Sequence, residues 1–242
     1  MHSDLTTDLS LIRSNLSKRK LDQENVVLLS TGSLNPVHRS HLSNLIRTKE
    51  YLEKNYHFNV LGGFLSPSHN EYVRSKLKNQ FLDGKLRIEL CQNAIEEENQ
   101  QDWLSVDKAE CMASRFISLD GVTLSLKMYL NENIPLEKSI RVIYVAGLDL
   151  FNRCHGMNRL RKKPLDGLAV VYRHGEDQSF IQSFLNKKDE NIIFVPFDEK
   201  DSKQLMNISS TLIREKLQLN QDCSHLTYHS VLKYFQYKTM DE

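Results

Sequence analysis

Apolar positions along the chain fall into short unbroken runs separated by stretches of helical spacing. Val26-Val27-Leu28-Leu29 is one such run, ending near Ser30, and it leads into a pattern at Leu42, Leu45 and Ile46 that predicts a helix reaching about Lys54. Further runs at 59–65, 103–106, 141–145, 168–172 and 192–195 read as strands. Helical spacing covers 86–95, and two more helices are expected from about Ser210 and about Ser224. This alternation predicts an α/β fold: a doubly wound, mostly parallel sheet with helices on both faces. Ligands of such sheets bind beyond the carboxyl ends of the strands, where the winding reverses. Before the first strand, Leu5, Leu9, Ile12 and Leu16 recur at helical spacing, so residues 1–24 are expected to form an amphipathic helical extension on one domain spanning 25–242.

Two stretches carry candidate chemistry. The first is Thr31-Gly32-Ser33-Leu34-Asn35-Pro36-Val37-His38-Arg39-Ser40-His41. Gly32 would let the backbone turn tightly after the strand, and Pro36 suits a first helical position. A helix start there would offer unpaired N–H groups to an anion, with His38 and His41 on one face above the turn. Taken alone, the same loop is equally an ordinary strand-to-helix turn. A metal at the two histidines would need a third ligand, and no Cys or Glu stands at a metalloprotease-like offset. The second stretch, Ile208-Ser209-Ser210-Thr211-Leu212-Ile213-Arg214, places hydroxyls at a helix start with Arg214 four residues beyond Ser210. Hydroxyls, backbone N–H groups and a planar guanidinium suit a chain of phosphates. An ordinary Ser-capped amphipathic helix is the alternative.

Composition narrows the class. The 242 residues, 40% of them apolar, suffice for one domain with a sizeable core. A net charge of +1 argues against an extended nucleic-acid surface, and no apolar stretch approaches membrane-spanning length. The four cysteines, 91, 111, 154 and 223, form no Cys-x-x-Cys pair and fit a reducing, cytoplasmic compartment. Lys18-Arg19-Lys20 reads as a nuclear address or a solvated basic turn. No pattern in the chain points to an oligomer.

Taken together, Gly-Ser-x-Asn-Pro with its two histidines and the later Ile-Ser-Ser-Thr-x-x-Arg resemble the nucleotidylyltransferases, above all the nicotinamide mononucleotide adenylyltransferase family, over nearly the whole chain from about residue 25. The resemblance implies a Rossmann-like fold and adenylyl transfer from ATP to nicotinamide or nicotinic acid mononucleotide, with magnesium held mainly through the ATP phosphates. It places Gly32, Ser33, His38 and His41 at the α-phosphate and Ile208, Ser209, Ser210, Thr211 and Arg214 at the departing pyrophosphate, with His41, His38 and Arg214 catalytic. Ala146-Gly147-Leu148-Asp149 is similar to the family's Gly-Ala-Asp turn, which implies backbone approach at Gly147 and ribose contact at Asp149. The Ser66-Pro67 segment implicates Tyr72 and Arg74 in mononucleotide binding, and the strand end at 171–175 adds Arg173. Where the family carries tryptophans this chain has Ala109, beside Glu110, and Phe116; Thr123 matches the ring-holding Thr if an insertion is allowed. Two further readings stay open: the same chemistry with another phosphorylated acceptor, or a nucleotide-binding regulator and weak ATP hydrolase.

Overall fold

The computed structural model describes residues 1–172, 191–196 and 208–238. Its centre is a six-stranded sheet in the order β3-β2-β1-β4-β5-β6, every pairing parallel. The strands are β1 (Asn25–Gly32), β2 (Asn59–Pro67), β3 (Leu104–Val106), β4 (Arg141–Gly147), β5 (Leu168–Tyr172) and β6 (Ile192–Pro196), each on an apolar run noted in the sequence. The winding reverses between β1 and β4. Helices α1 (Ser10–Leu16), α2 (Arg39–Asn55), α3 (Asn70–Leu77), α4 (Gly84–Glu97), α5 (Leu119–Asn133), α6 (Leu148–Arg153), α7 (Ser210–Gln218) and α8 (His229–Lys238) lie around it.

Successive strand residues point to opposite faces, so β1 feeds two cores at once. Val26 and Leu28 pack with Leu42 and Leu45 of α2, Leu90 and Ala94 of α4, and Val231 of α8. Val27 and Leu29 face the other way, onto Ile12 of α1, Val122, Leu126 and Leu130 of α5, and Phe151 of α6. Burial on both faces explains why these strands read as unbroken apolar runs rather than alternating ones. Among the described residues, no helix is long and apolar enough to cross a membrane.

The N-terminal residues belong to this second core. Leu9 and Ile12 are buried there, while Leu5 is 86% exposed, so the predicted amphipathic face holds over a shorter helix. Gly62 of β2 permits the close approach, since a Cβ there would stand 3.0 Å from Ile12 Cγ1. Asn15 donates to the carbonyls of Leu61 and Asp102, and the Lys108 N–H donates to the Thr6 carbonyl. Thr7 donates to the buried Asp107 carboxylate at 2.7 Å. Burial alone would raise the Asp107 pKa, but bonds from His2, Ser66 and Thr7 outweigh it and hold the carboxyl below its ordinary value. Ile12→Ala is therefore expected to lower global stability by about 2–4 kcal/mol in urea unfolding of the full chain. An unchanged main transition would mean that α1 is a detachable appendage.

Candidate active site

The first predicted site forms at the switch point, but the helix starts later than its sequence suggests. Pro36 lies in the connecting loop, and α2 opens at Arg39 with His38 as an extended N-cap. The correction has a physical cause: the two histidines cap the helix themselves. The His38 N–H donates to His41 Nδ1 at 3.1 Å, while the His38 side chain accepts from the His41 N–H. Their rings stack at 3.6 Å between centroids rather than standing side by side on a helix face. Because His41 Nδ1 accepts, its proton sits on Nε2. Burial lowers the His41 pKa to about 4, so near neutral pH the ring is an uncharged N–H donor.

The loop is held from two sides by donors to its carbonyls. Gly32 O accepts from the Ser68 N–H at 2.8 Å, and Ser33 O accepts from Arg87 Nη1 at 2.9 Å. Asn35 O accepts from Arg214 Nη1 at 2.7 Å, Pro36 O from Ser210 Oγ at 2.8 Å, and Val37 O from Thr227 Oγ1 at 2.8 Å. In a trans peptide the C=O and the following N–H point opposite ways, so the N–H groups of Ser33 and Leu34 turn away from their carbonyls' donors. The N–H of Arg39 is taken by Leu226 O, which narrows the open helix start expected from the sequence. Leu34, at φ 46°, is a bulky residue in left-handed backbone, an outlier of the kind that gathers at binding loops.

The second predicted segment thus meets the first, and its side chains bond to the loop carbonyls. Ser209 caps α7 by accepting from the Leu212 N–H, and Ile208 is an apolar anchor against Ile213, Cys223 and Leu226. The Arg214 fork is engaged by Asn35 O, by Gln80 Oε1 at 3.0 Å and by Thr211 Oγ1 at 3.2 Å. Its first task is to clasp the loop. Arg87 was missed altogether. Fully buried on α4, it donates to Leu82 O, Ser33 O and Asn70 Oδ1, and only its charge within the apolar pattern of 86–95 marks it in the sequence.

On the β2 side, Tyr72 and Phe116 stack at 4.8 Å, both partly exposed, which brings together two residues far apart in sequence. Arg74 instead sits over Phe81 at 4.8 Å. The cation on the Tyr72 face is Lys76, whose Nζ is 6.0 Å from the Tyr72 ring. That residue was also missed, although its i,i+4 spacing from Tyr72 gives the signal. Thr123 is a correction: it is fully buried in α5, and its hydroxyl donates to Leu119 O at 2.7 Å, so it presents nothing to a ring. Ala109 is buried, and Glu110 beside it accepts from the His69 N–H at 3.2 Å.

At the end of β4, Gly147 is the N-cap of α6 and Asp149 lies in its first turn. A Cβ on Gly147 would come within 2.9 Å of Asp149 Oδ1. The Asp149 carboxylate accepts from Arg153 at 2.8 Å. Arg173 lies outside the described residues. Among the described residues, no group of three or more His, Cys, Asp or Glu stands together as a metal cage.

A parallel sheet in this order, with the paired histidines at the end of the first strand beside its switch point, is a Rossmann-like α/β arrangement. No family model matches the chain. Over 224 residues it is 29% identical to the nicotinamide/nicotinic acid mononucleotide adenylyltransferase of Arabidopsis thaliana, covering 88% of each chain. It is 25% identical over 248 residues to adenylyltransferase 1 of Saccharomyces cerevisiae, covering 91% of this chain and 57% of that one. An 86-residue stretch is 36% identical to adenylyltransferase 2 of Xenopus tropicalis, spanning 36% of this chain and 26% of that protein's length. In structure it is similar to the Plasmodium falciparum nicotinic acid mononucleotide adenylyltransferase complexed with NaAD. The TM-score is 0.62 at 13% identity, covering 89% of this chain and 96% of that one. Over most of its length the chain is thus similar to nicotinamide/nicotinic acid mononucleotide adenylyltransferases, while it spans about a quarter of the length of the first vertebrate relatives it matches.

Glu110 supplies a prediction. Burial pushes its carboxyl up from 4.5 to about 7, with Asp107 adding to the rise, while bonds from His69 and Ser68 and the charge of Arg87 partly offset it. A pKa raised in the folded state means that its contribution is complete below 4.5 and is lost as pH rises through about 7. Glu110→Gln should therefore gain stability relative to the native chain across that window, by as much as about 3 kcal/mol. Urea unfolding of both proteins at pH 4.5 and 7.5 checks this, and a pH-independent difference would count against it.

Proposed function

We propose that the chain transfers the adenylyl group of ATP to nicotinamide or nicotinic acid mononucleotide, giving NAD or deamido-NAD and pyrophosphate. The observation that carries this reading is the union of the two motif segments: Ser210 and Arg214 bonded to the carbonyls of Pro36 and Asn35, one turn before His41. The relatives' names supply the acceptor class. Magnesium would arrive with ATP as part of the substrate and offset the charge of its phosphates.

A phosphate oxygen of the acceptor forms a bond to the α-phosphorus in line, and the bond from that phosphorus to the bridging oxygen breaks as pyrophosphate leaves. No residue of the chain need become a nucleophile. Backbone N–H groups of Ser33 and Leu34 orient the phosphates, and His41 Nε2–H donates to an α-phosphate oxygen as negative charge grows there. A neutral donor suits that task because no proton has to move. Gly147 and Asp149 stand at the end of β4 for the ribose, and opening the Asp149–Arg153 pair frees the carboxylate to accept a hydroxyl. Tyr72 and Phe116 provide the flat surface for the pyridine ring. The four free cysteines fit a reducing, cytoplasmic setting.

A second reading, another phosphorylated acceptor or slow ATP hydrolysis, is favoured by one observation. Ala109 is buried where the family carries an aromatic ring, so the acceptor side has lost one stacking surface. Incubating the protein with magnesium-ATP and each mononucleotide should give dinucleotide and pyrophosphate in equal amounts. His41→Ala should lower turnover about a hundredfold or more with the fold retained by circular dichroism. Phosphate release from ATP with no acceptor-dependent dinucleotide would replace the first reading by the second.

A further inference from the structure

We propose that Lys76, together with Arg153 and Arg214, grips the β- and γ-phosphates of the nucleotide, a role that the sequence motif assigns to no residue of α3. The inference deepens the proposed function and rests on it for the identity of the phosphates. On α3, positions 72 and 76 share a face and position 74 points away from it. The contacts follow that geometry. The Lys76 ammonium stands 6.0 Å from the Tyr72 ring, and Tyr72 stacks on Phe116, whereas the Arg74 guanidinium is spent on Phe81 at 4.8 Å.

The charges of Arg153 and Arg214 act on Lys76 repulsively, and that of Asp149 attractively. Asp149 is already bonded to Arg153, and Arg214 already bonds uncharged acceptors. Lys76 itself has no ion pair or hydrogen bond among the described residues. Its pKa is lowered, by desolvation first and then by the two arginines, which is the direction a cation takes when its surroundings lack an anion. Three cations against two carboxylates, Asp149 committed to Arg153 and Glu215 beside Arg214, still leave a net positive charge in this cluster, whose Arg214 is bonded to the loop that carries His41. Polyphosphate supplies several charges within reach of all three, and an ammonium on a flexible stem can follow the phosphates as they depart.

The test uses inorganic tripolyphosphate, which needs no acceptor. Calorimetric titration into the full chain at low salt should show binding that weakens about tenfold or more in Lys76→Met and is largely restored in Lys76→Arg. Arg74→Met should bind like the native chain. Lys76→Met should also raise KM for magnesium-ATP and lower kcat, because the contact persists to the departing pyrophosphate. Tripolyphosphate binding that survives Lys76→Met, or that is lost in Arg74→Met instead, overturns the assignment. If binding depends on Lys76 yet no dinucleotide forms with either mononucleotide, the adenylyl-transfer reading fails while the polyphosphate grip stands.

Discussion

The site depends on how three consecutive backbone carbonyls are satisfied. Asn35, Pro36 and Val37 all lie buried, and a buried carbonyl without a donor costs about 1–3 kcal/mol. None of their donors is local: Arg214, Ser210 and Thr227 are 179, 174 and 190 residues away along the chain. The loop therefore reaches this conformation only after the whole sheet has been wound and α7 has docked. The Asn35 side chain extends the same logic, donating to Gln80 O at 2.8 Å and accepting from the Leu82 N–H at 2.7 Å. One short segment consequently fixes α7, the 78–82 turn and the start of α2 relative to each other.

Within that frame, charge and hydrogen bonding are divided between different residues. His41 gives a directed N–H without a charge, because its Nδ1 is engaged and its burial disfavours the imidazolium. On the proposed reading, positive charge comes from Lys76, Arg153 and Arg214, carried on α3, α6 and α7. A donor that does not titrate near neutrality keeps the same bonding pattern before and after transfer. Cations on separate elements can shift with the leaving group without disturbing the donor.

The sheet was legible because parallel strands buried on both faces must be apolar throughout, and all six runs became strands. What was not legible had its cause elsewhere in the molecule. The last helix starts at His229 rather than near Ser224 because the Glu97 carboxylate on α4 accepts the N–H groups of His229 and Ser230, at 2.7 and 2.9 Å. Pro36 looked like a helix start because nothing local reveals that two histidines cap each other. Helix α5 was legible in principle, since Val122, Leu126, Tyr129 and Leu130 recur at helical spacing, but family likeness drew attention to Thr123 as a ring contact. Arg74 fitted the motif by residue type, whereas helical spacing puts Lys76, not Arg74, on the Tyr72 face of α3.

The two halves of the site differ in how firmly they are built, and this bears on substrate choice. The nucleotide half is bonded on both sides by buried groups. The acceptor half is a loop whose root is fixed and whose tip is open: Asp107 ties it to Thr7, Ser66 and the Ala109 N–H, and His69 and Glu110 join it to α3. Beyond that root, Met112 is 59% exposed and Phe116 45%. Exposed side chains on such a loop can change without loss of core packing, so variation there costs little stability. Thr7 and His2, both from the N-terminal residues, meet this loop at Asp107. On the proposed reading, donor recognition is thus bound to the integrity of the fold, while acceptor recognition rests on a tip that the fold positions but does not prescribe.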